Sequence, residues 1–227
     1  MSWWEGPENE VVEAPRIIII GAGGHARVVY DCLRLSLADG KGGKVLGFTD
    51  DNSGLWGREL MGLPILGPID RISDLDANAV VIGIGDNAAR KRLYKWATGR
   101  GYTLVNVIHP AAVIATDVSV GRGVAIFANV VVNSGSSIGN DAVLNTACTV
   151  DHDCRIGDHA HVAPGAHLAG GVEVGEGVVL GVGASVVPYR KIGNWSVVGA
   201  GTVVLEDIPD QVQAFSVPAK VTKVRLK

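Results

Sequence analysis

The chain has 227 residues, 47% of them hydrophobic and 19% charged, with a net charge of -3. That balance excludes a chain disordered over most of its length, leaves no basic excess for general nucleic-acid binding, and offers no apolar run near the ~18 residues of a membrane span. Gly is 31 of the 227 and the aromatics are few (3 Phe, 5 Trp, 4 Tyr), so Val, Ile, Leu and Ala must build thin, regular layers.

Residues 1–15 carry Glu5, Glu8, Glu10 and Glu13, with no basic start and no continuous apolar stretch. They read as an N-terminal tail, not a signal peptide. Arg16 to Ile20 is β-branched, ends at Gly21 and predicts a buried strand. A helix is expected over Ala26 to Leu37, a second strand over Lys44 to Phe48 and a third over Ala79 to Ile84. A second helix follows from Asn87 to Gly99, then a fourth strand from Tyr102 to Ile108. Strand–helix–strand order with short connections predicts a small parallel α/β sheet over 16–109, half of a dinucleotide fold. Cys32, Cys148 and Cys154 form no CxxC pair. This argues against a disulfide framework or zinc ribbon and makes the cytoplasm the expected compartment.

The texture changes at His109–Pro110. Stepping by six from Ile114 to Val204 meets Ile, Leu or Val at every one of sixteen positions. The position four further on is mostly small or β-branched, as at Val124, Ala142, Cys148, Cys154 and Ala160. Gly often follows the aliphatic, at 121, 139, 157, 175, 181, 193 and 199, where it is expected to allow a positive φ at a tight corner. A helix needs a 3.6 period and would not bear this glycine density. The repeat predicts a solenoid of short strands over 110–206, three hexads to a triangular turn and five coils in all, with a C-terminal tail over 207–227.

The hexads resemble those of the hexapeptide-repeat acyltransferases, and the whole chain resembles one branch, the PglD/NeuD-like sugar N-acetyltransferases. The matching segments are Ile20-Gly-Ala-Gly-Gly-His-Ala26, Gly47-Phe-Thr-Asp-Asp51, Ile82-Gly-Ile-Gly-Asp-Asn87, Leu144-Asn-Thr146, Val150-Asp-His-Asp-Cys154, His161-Val-Ala-Pro-Gly165 and Val217-Pro-Ala-Lys220. The resemblance implies a left-handed parallel β-helix and a homotrimer with sites between neighbouring helices. It implies N-acetylation, with acetyl-CoA as co-substrate, of a nucleotide-linked amino sugar. A UDP- or GDP-linked 4-amino-4,6-dideoxyhexose is the expected acceptor, for surface glycan synthesis. Two other readings stand beside it: O-acetylation of a sialic-acid-type sugar, and a non-catalytic β-helix scaffold.

His152 occupies a non-inward hexad position between Asp151 and Asp153. A flanking carboxylate raises an imidazole's pKa and suits it to general-base work. The resemblance implies that His152 is that base and Asp153 its orienting carboxylate. The resemblance also implies that His161 and Asn145 meet the thioester end of acetyl-CoA, that Gly170, Val182 and Ala200 line its groove, and that Lys220 meets its phosphates. Gly21 to Ala26 fits a phosphate-binding G-x-G-x-x-A turn. In the family that loop, through Gly23, Gly24 and His25, approaches the diphosphate or sugar. Asp50 and Asp51 face the base or ribose, and Gly85 permits close approach. His159 and His167 read as surface histidines. No metal site is expected, because none of the separations among the four histidines from 152 to 167 is five. Cys148 and Cys154 fall on the inward phase, which favours direct transfer without an acyl-enzyme.

Overall fold

The computed structural model describes residues 14–37, 43–215 and 220–224, the last of these by backbone alone. The expected tail therefore lies almost wholly outside the described residues. The described chain forms two compact units; the second contains Asp86–Lys91 as well as everything from Ile108 onward.

The first unit is a four-stranded parallel sheet in the order β2-β1-β5-β6. Its strands are β1 (Arg16–Ile20), β2 (Lys44–Thr49), β5 (Ala79–Ile82) and β6 (Thr103–Leu104), with the short hairpin β3 (Glu59–Leu60) and β4 (Leu63–Pro64) between β2 and β5. Helix α1 spans Gly24–Ser36 and α2 spans Asn87–Gly99. Ile17 to Ile20 have no exposed surface, as a parallel strand covered on both faces requires. One α1 face buries Ala26, Val29, Cys32 and Leu33, and Ile18, Ile20, Ile72, Val80, Ile82, Ala97 and Leu104 form one core. Strand β1 has β2 on one side and β5 on the other. The segments Gly21–His25, Asp50–Asp51 and Gly83–Gly85 therefore leave the carboxyl ends of adjacent strands at a topological switch point, where open α/β sheets bind ligands.

The third strand stops at Ile82, two residues short of the expectation. A Cβ at Gly83 would lie 2.9 Å from Ala26, so α1 leaves room there for glycine alone. The hairpin was not foreseen; its turn is Met61–Gly62, with φ of 50° and 81°.

The second unit is a parallel β-solenoid with three walls. The expected fourth strand of the sheet splits: Thr103–Leu104 pairs with β5, while Val107–Ile108 opens the solenoid. The hexad register thus reaches one step earlier than Ile114, to Ile108. The first wall runs from Val107–Ile108 through Ala125–Ile126, Val143–Leu144, His161–Val162, Val179–Leu180 and Val197–Val198, and ends in a hairpin of Val212–Phe215 and Lys220–Val224. The second wall has six strands, from Val113–Ile114 to Val203–Val204, and the third has five, from Ser119–Val120 to Lys191–Ile192. Strands pair 18 residues apart, as in Val131↔Thr149 and His161↔Val179.

The interior follows the two inward phases. Ile126, Leu144, Val150 and Leu180 are fully buried, and so are the small residues Val124, Ala142, Cys148, Cys154 and Ala160. Each buried Ile, Leu or Val is worth roughly 1.5–3 kcal/mol, and each coil caps the next. Ser136 keeps the hydroxyl of its small inward site satisfied by donating to the Asp151 carbonyl and accepting from the Cys154 N–H.

The role expected of the glycines changes. Positive φ falls three residues after the aliphatic, not one: 14 successive hexads, from Gly123 to Gly201, place a left-handed residue there, among them Asp141, Ala147, Asp153, His159, Tyr189 and Trp195. Glycines one after the aliphatic serve close approach. A Cβ at Gly139 would lie 2.6 Å from the Asp158 backbone N, and one at Gly181 2.5 Å from the Ala200 backbone N. No helix among the described residues is long and apolar enough to cross a membrane.

Candidate active site

Each coil has three corners. The second corner, after the second wall, carries Asp151, His152 and Asp153, and Gly170 one coil later. His152 is exposed, and its Nδ1 lies 2.8 Å from Asp153 Oδ2. Asp153 sits at a φ of 59°, the corner conformation that turns its carboxylate back toward the preceding imidazole. The hydrogen bond that the His152 ring donates to Asp153, helped by the charge of Asp151, raises the His152 pKa above the ordinary imidazole value. Asp151 accepts from Asn133 Nδ2 at 2.8 Å and from the His152 N–H at 2.8 Å. These bonds hold its carboxyl below the usual range. Asn133 was not singled out in the sequence, although it stands one 18-residue coil before Asp151. This geometry leaves His152 Nε2 to take a proton.

The first corner, after the first wall, carries Asn145, Val182 and Ala200. Asn145 Nδ2 lies 3.1 Å from His161 Nε2, because His161 is the outward residue of the wall strand one coil above. Val182 and Ala200 are exposed. Beside them Gly165, Gly183 and Gly201 stack at φ of 63°, 66° and 66°, with nothing within 4 Å of a would-be Cβ. That edge is an open strip along the solenoid. The structure brings Asn145 to His161 and His152 to Asp153, but it puts the two pairs on different corners of one chain. Lys220 falls in the closing hairpin, where side chains are not described, and residues 216–219 lie outside the described residues.

In the first unit, Gly21 and Gly83 are glycines for packing reasons. Gly21 has a φ of 101°, and its Cβ would lie 3.0 Å from Ile84. Gly23, Gly24 and Gly85 have open space around them and no left-handed φ. The fold does not require glycine there, so the space is available to a ligand. Gly23 caps α1 with no side-chain cap hydrogen bond, and the N-terminus of a helix favours an anion. His25 is half-buried in that first turn. Asp50 accepts from the Ala22 N–H at 2.9 Å and the Asn52 N–H at 2.9 Å, and Asp51 accepts from the Ile69 N–H at 3.0 Å. The two carboxylates, expected to face a base or ribose, thus brace the surrounding loops through backbone N–H groups.

His159 is corrected. Expected at the surface, it is 5% exposed on the third corner, with Nδ1 2.8 Å from Asp141 Oδ2. Arg90, 1% exposed, sets its Nε 3.2 Å from the same oxygen and donates to the carbonyls of Asp141 and His159 at 3.0 and 2.7 Å. His167 is exposed and pairs with Thr149 at 2.9 Å. The four histidines therefore have four separate partners, and among the described residues no group of three or more His, Cys, Asp or Glu could hold a metal ion. Cys148 and Cys154 are fully buried. Burial pushes the Cys148 thiol up to about 12 and raises that of Cys154 as well, so neither is poised as a thiolate.

The model of the PglD N-terminal domain family matches residues 16–97. Perosamine N-acetyltransferase from Caulobacter crescentus, solved with CoA and GDP-perosamine, is 42% identical over 92% of this chain and 97% of its own, with a TM-score of 0.84. The acetyltransferase domain of PglB from Neisseria gonorrhoeae, solved with acetyl coenzyme A, is 32% identical over 92% of this chain and 100% of its own, with a TM-score of 0.82. WeeI from Acinetobacter baumannii is 28% identical over 91% and 99%, also at 0.82. The chain belongs to the PglD-type family of sugar N-acetyltransferases, whose solenoid is the left-handed parallel β-helix of the hexapeptide-repeat acyltransferases.

Proposed function

We propose that this protein transfers the acetyl group of acetyl-CoA to the amine of a nucleotide-linked amino sugar, a 4-amino-4,6-dideoxyhexose, for surface glycan synthesis. The exposed His152 imidazole, held 2.8 Å from the Asp153 carboxylate, carries this reading. A chain 42% identical to it binds CoA and GDP-perosamine, which supports the choice of both substrates. The amine reaches the site as an ammonium and must be neutral to attack. Once the ammonium has given one proton to solvent, His152 Nε2 takes a second from the nitrogen as it bonds to the thioester carbon, and returns that second proton to sulfur as the C–S bond breaks. Asp153 stabilises the imidazolium in between. Acetyl-CoA supplies the acetyl group as a thioester. Asn145 and His161 meet its reacting end, Gly170, Val182 and Ala200 line its path, and Lys220 meets its phosphates. Gly23, Gly24, His25, Asp50, Asp51 and Gly85 hold the nucleotide-sugar. Buried thiols outside any disulfide suit a reducing cytoplasm.

The split between the two corners supports a homotrimer. One protomer's His152 works beside the Asn145–His161 edge of its neighbour, so each site needs two chains. Thiol release with UDP-, GDP- and dTDP-linked amino sugars tests the activity. The expected product carries one base-stable acetyl amide on one of them. No release with any of the three, or a base-labile ester, would sink the reading. Mixing His152→Ala with Ala200→Trp tests the shared site: two inactive variants should recover part of the activity in mixed oligomers, and no recovery would argue for sites within one chain.

A further inference from the structure

Two glycines press against the His152–Asp153 pair from neighbouring coils. A Cβ at Gly170, one coil above His152, would lie 2.5 Å from both Cε1 and Nε2 of the imidazole. A Cβ at Gly135, one coil below Asp153, would lie 2.4 Å from Asp153 Oδ1. Real Cβ atoms do not come so close, so something must shift. In both cases the nearest atoms are the ends of the pair's own side chains, which are exposed and free to swing away. The backbone does not demand glycine at 170, whose φ is outside the left-handed region. Gly135 has a φ of 74°, where any side chain carries some backbone strain, although Ala147 holds 57° at the equivalent corner position of another hexad. Other glycines on these corners differ: rings of Tyr189 and Trp195 fill the space at Gly171 and Gly177, and open space surrounds Gly183 and Gly201.

We infer that Gly135 and Gly170 are positioning residues: their missing side chains form the slot that holds His152 Nδ1 against Asp153 Oδ2. The inference rests on the proposed role of His152 for its effect on turnover, but not for its effect on the pair itself. It is tested on the full chain by following the His152 imidazole through a pH titration by NMR, without substrate, and by steady-state kinetics. Wild-type His152 should titrate above an ordinary imidazole, and in Gly135→Ala the value should fall toward the ordinary one. Gly135→Ala and Gly170→Ala should each lower kcat by about 10- to 100-fold, as a small misplacement of a catalytic group does, with the KM for acetyl-CoA within about twofold in Gly135→Ala, which lies outside the proposed acetyl-CoA path. Gly135→Ala added to Asp153→Ala should change nothing further, because the carboxylate it displaces is gone. Unchanged titration and kcat in the single variants, or a full extra loss in the Asp153→Ala background, would overturn the inference. Should Gly135→Ala melt early, Gly170→Ala, which carries no backbone strain, decides alone through its kcat and its His152 signal. Should wild type transfer no acetyl group, the titration still decides the slot while the proposed function falls.

Discussion

Two His–Asp pairs stand on two corners of the same solenoid. His152–Asp153 and His159–Asp141 share one geometry, Nδ1 to Oδ2 at 2.8 Å. Their surroundings differ. The first pair is open to solvent, with side chains 53% and 72% exposed; the second has 7% and 0%, and Arg90 closes it off. A base must meet its substrate, so only the first pair can do chemistry on a ligand. The second ties Asp86–Lys91 to the coils, where Asn87 also donates to the carbonyls of Gly177 and Val178 at 3.1 Å each. Pair geometry is therefore no mark of a site by itself; access to solvent distinguishes the two.

The contrast breaks first at His152. His152→Ala should lose roughly 10²- to 10⁴-fold in kcat, the usual worth of a positioned base, with melting temperature and acetyl-CoA affinity near wild type. Kinetics and a thermal melt check this, and near-full activity would remove His152 from the mechanism. Arg90→Ala should do the reverse. It leaves Asp141 buried without its cation, at a cost of about 3–5 kcal/mol of stability, seen as a large drop in melting temperature, while the pH profile of the remaining activity stays unchanged. A mild melt with lost activity would exchange the roles of the two corners.

A subtler effect is expected from Asp153→Asn. Asp153 raises the His152 pKa, and the base works only when neutral. The acid limb of kcat/KM should therefore lie above an ordinary imidazole's value in wild type and move to lower pH in the variant, with a reduced plateau. A limb that stays put would show that the 2.8 Å contact does not tune the base. The smallest effect belongs to the thiols. Cys148→Ala and Cys154→Ala should keep turnover within about twofold and lower stability by about 1 kcal/mol; loss of activity in a folded variant would revive an acyl-thiol route.

The third corner was illegible in the sequence for a simple reason. Arg90 and Asp141 are 51 residues apart, with no pattern joining them, and His159 occupies the same outward-looking hexad phase as the exposed Asp153. The six-residue period says which residues enter the prism but not what covers its outside. The same limit explains the glycine correction: a glycine rich in one phase shows where room is needed, while only the stacked coil shows whether the need is for φ or for clearance. Asn133 and Gly135 escaped notice because they matter only one coil away from their partners.

By itself the sequence determined the solenoid, its walls and its two inward phases, because a period of six in Ile, Leu and Val is a statement about burial that no helix or sandwich satisfies. It also marked His152 and Asp153, whose contact is local and set by one left-handed corner residue. Tertiary structure alone decided that Asn145 and His161 stand on another edge from His152, that His159 is a buried brace, and that two glycines flank the working pair. Those outcomes depend on which residues lie 18 apart along the stack or meet across a corner, and such distances exist only once the chain is coiled.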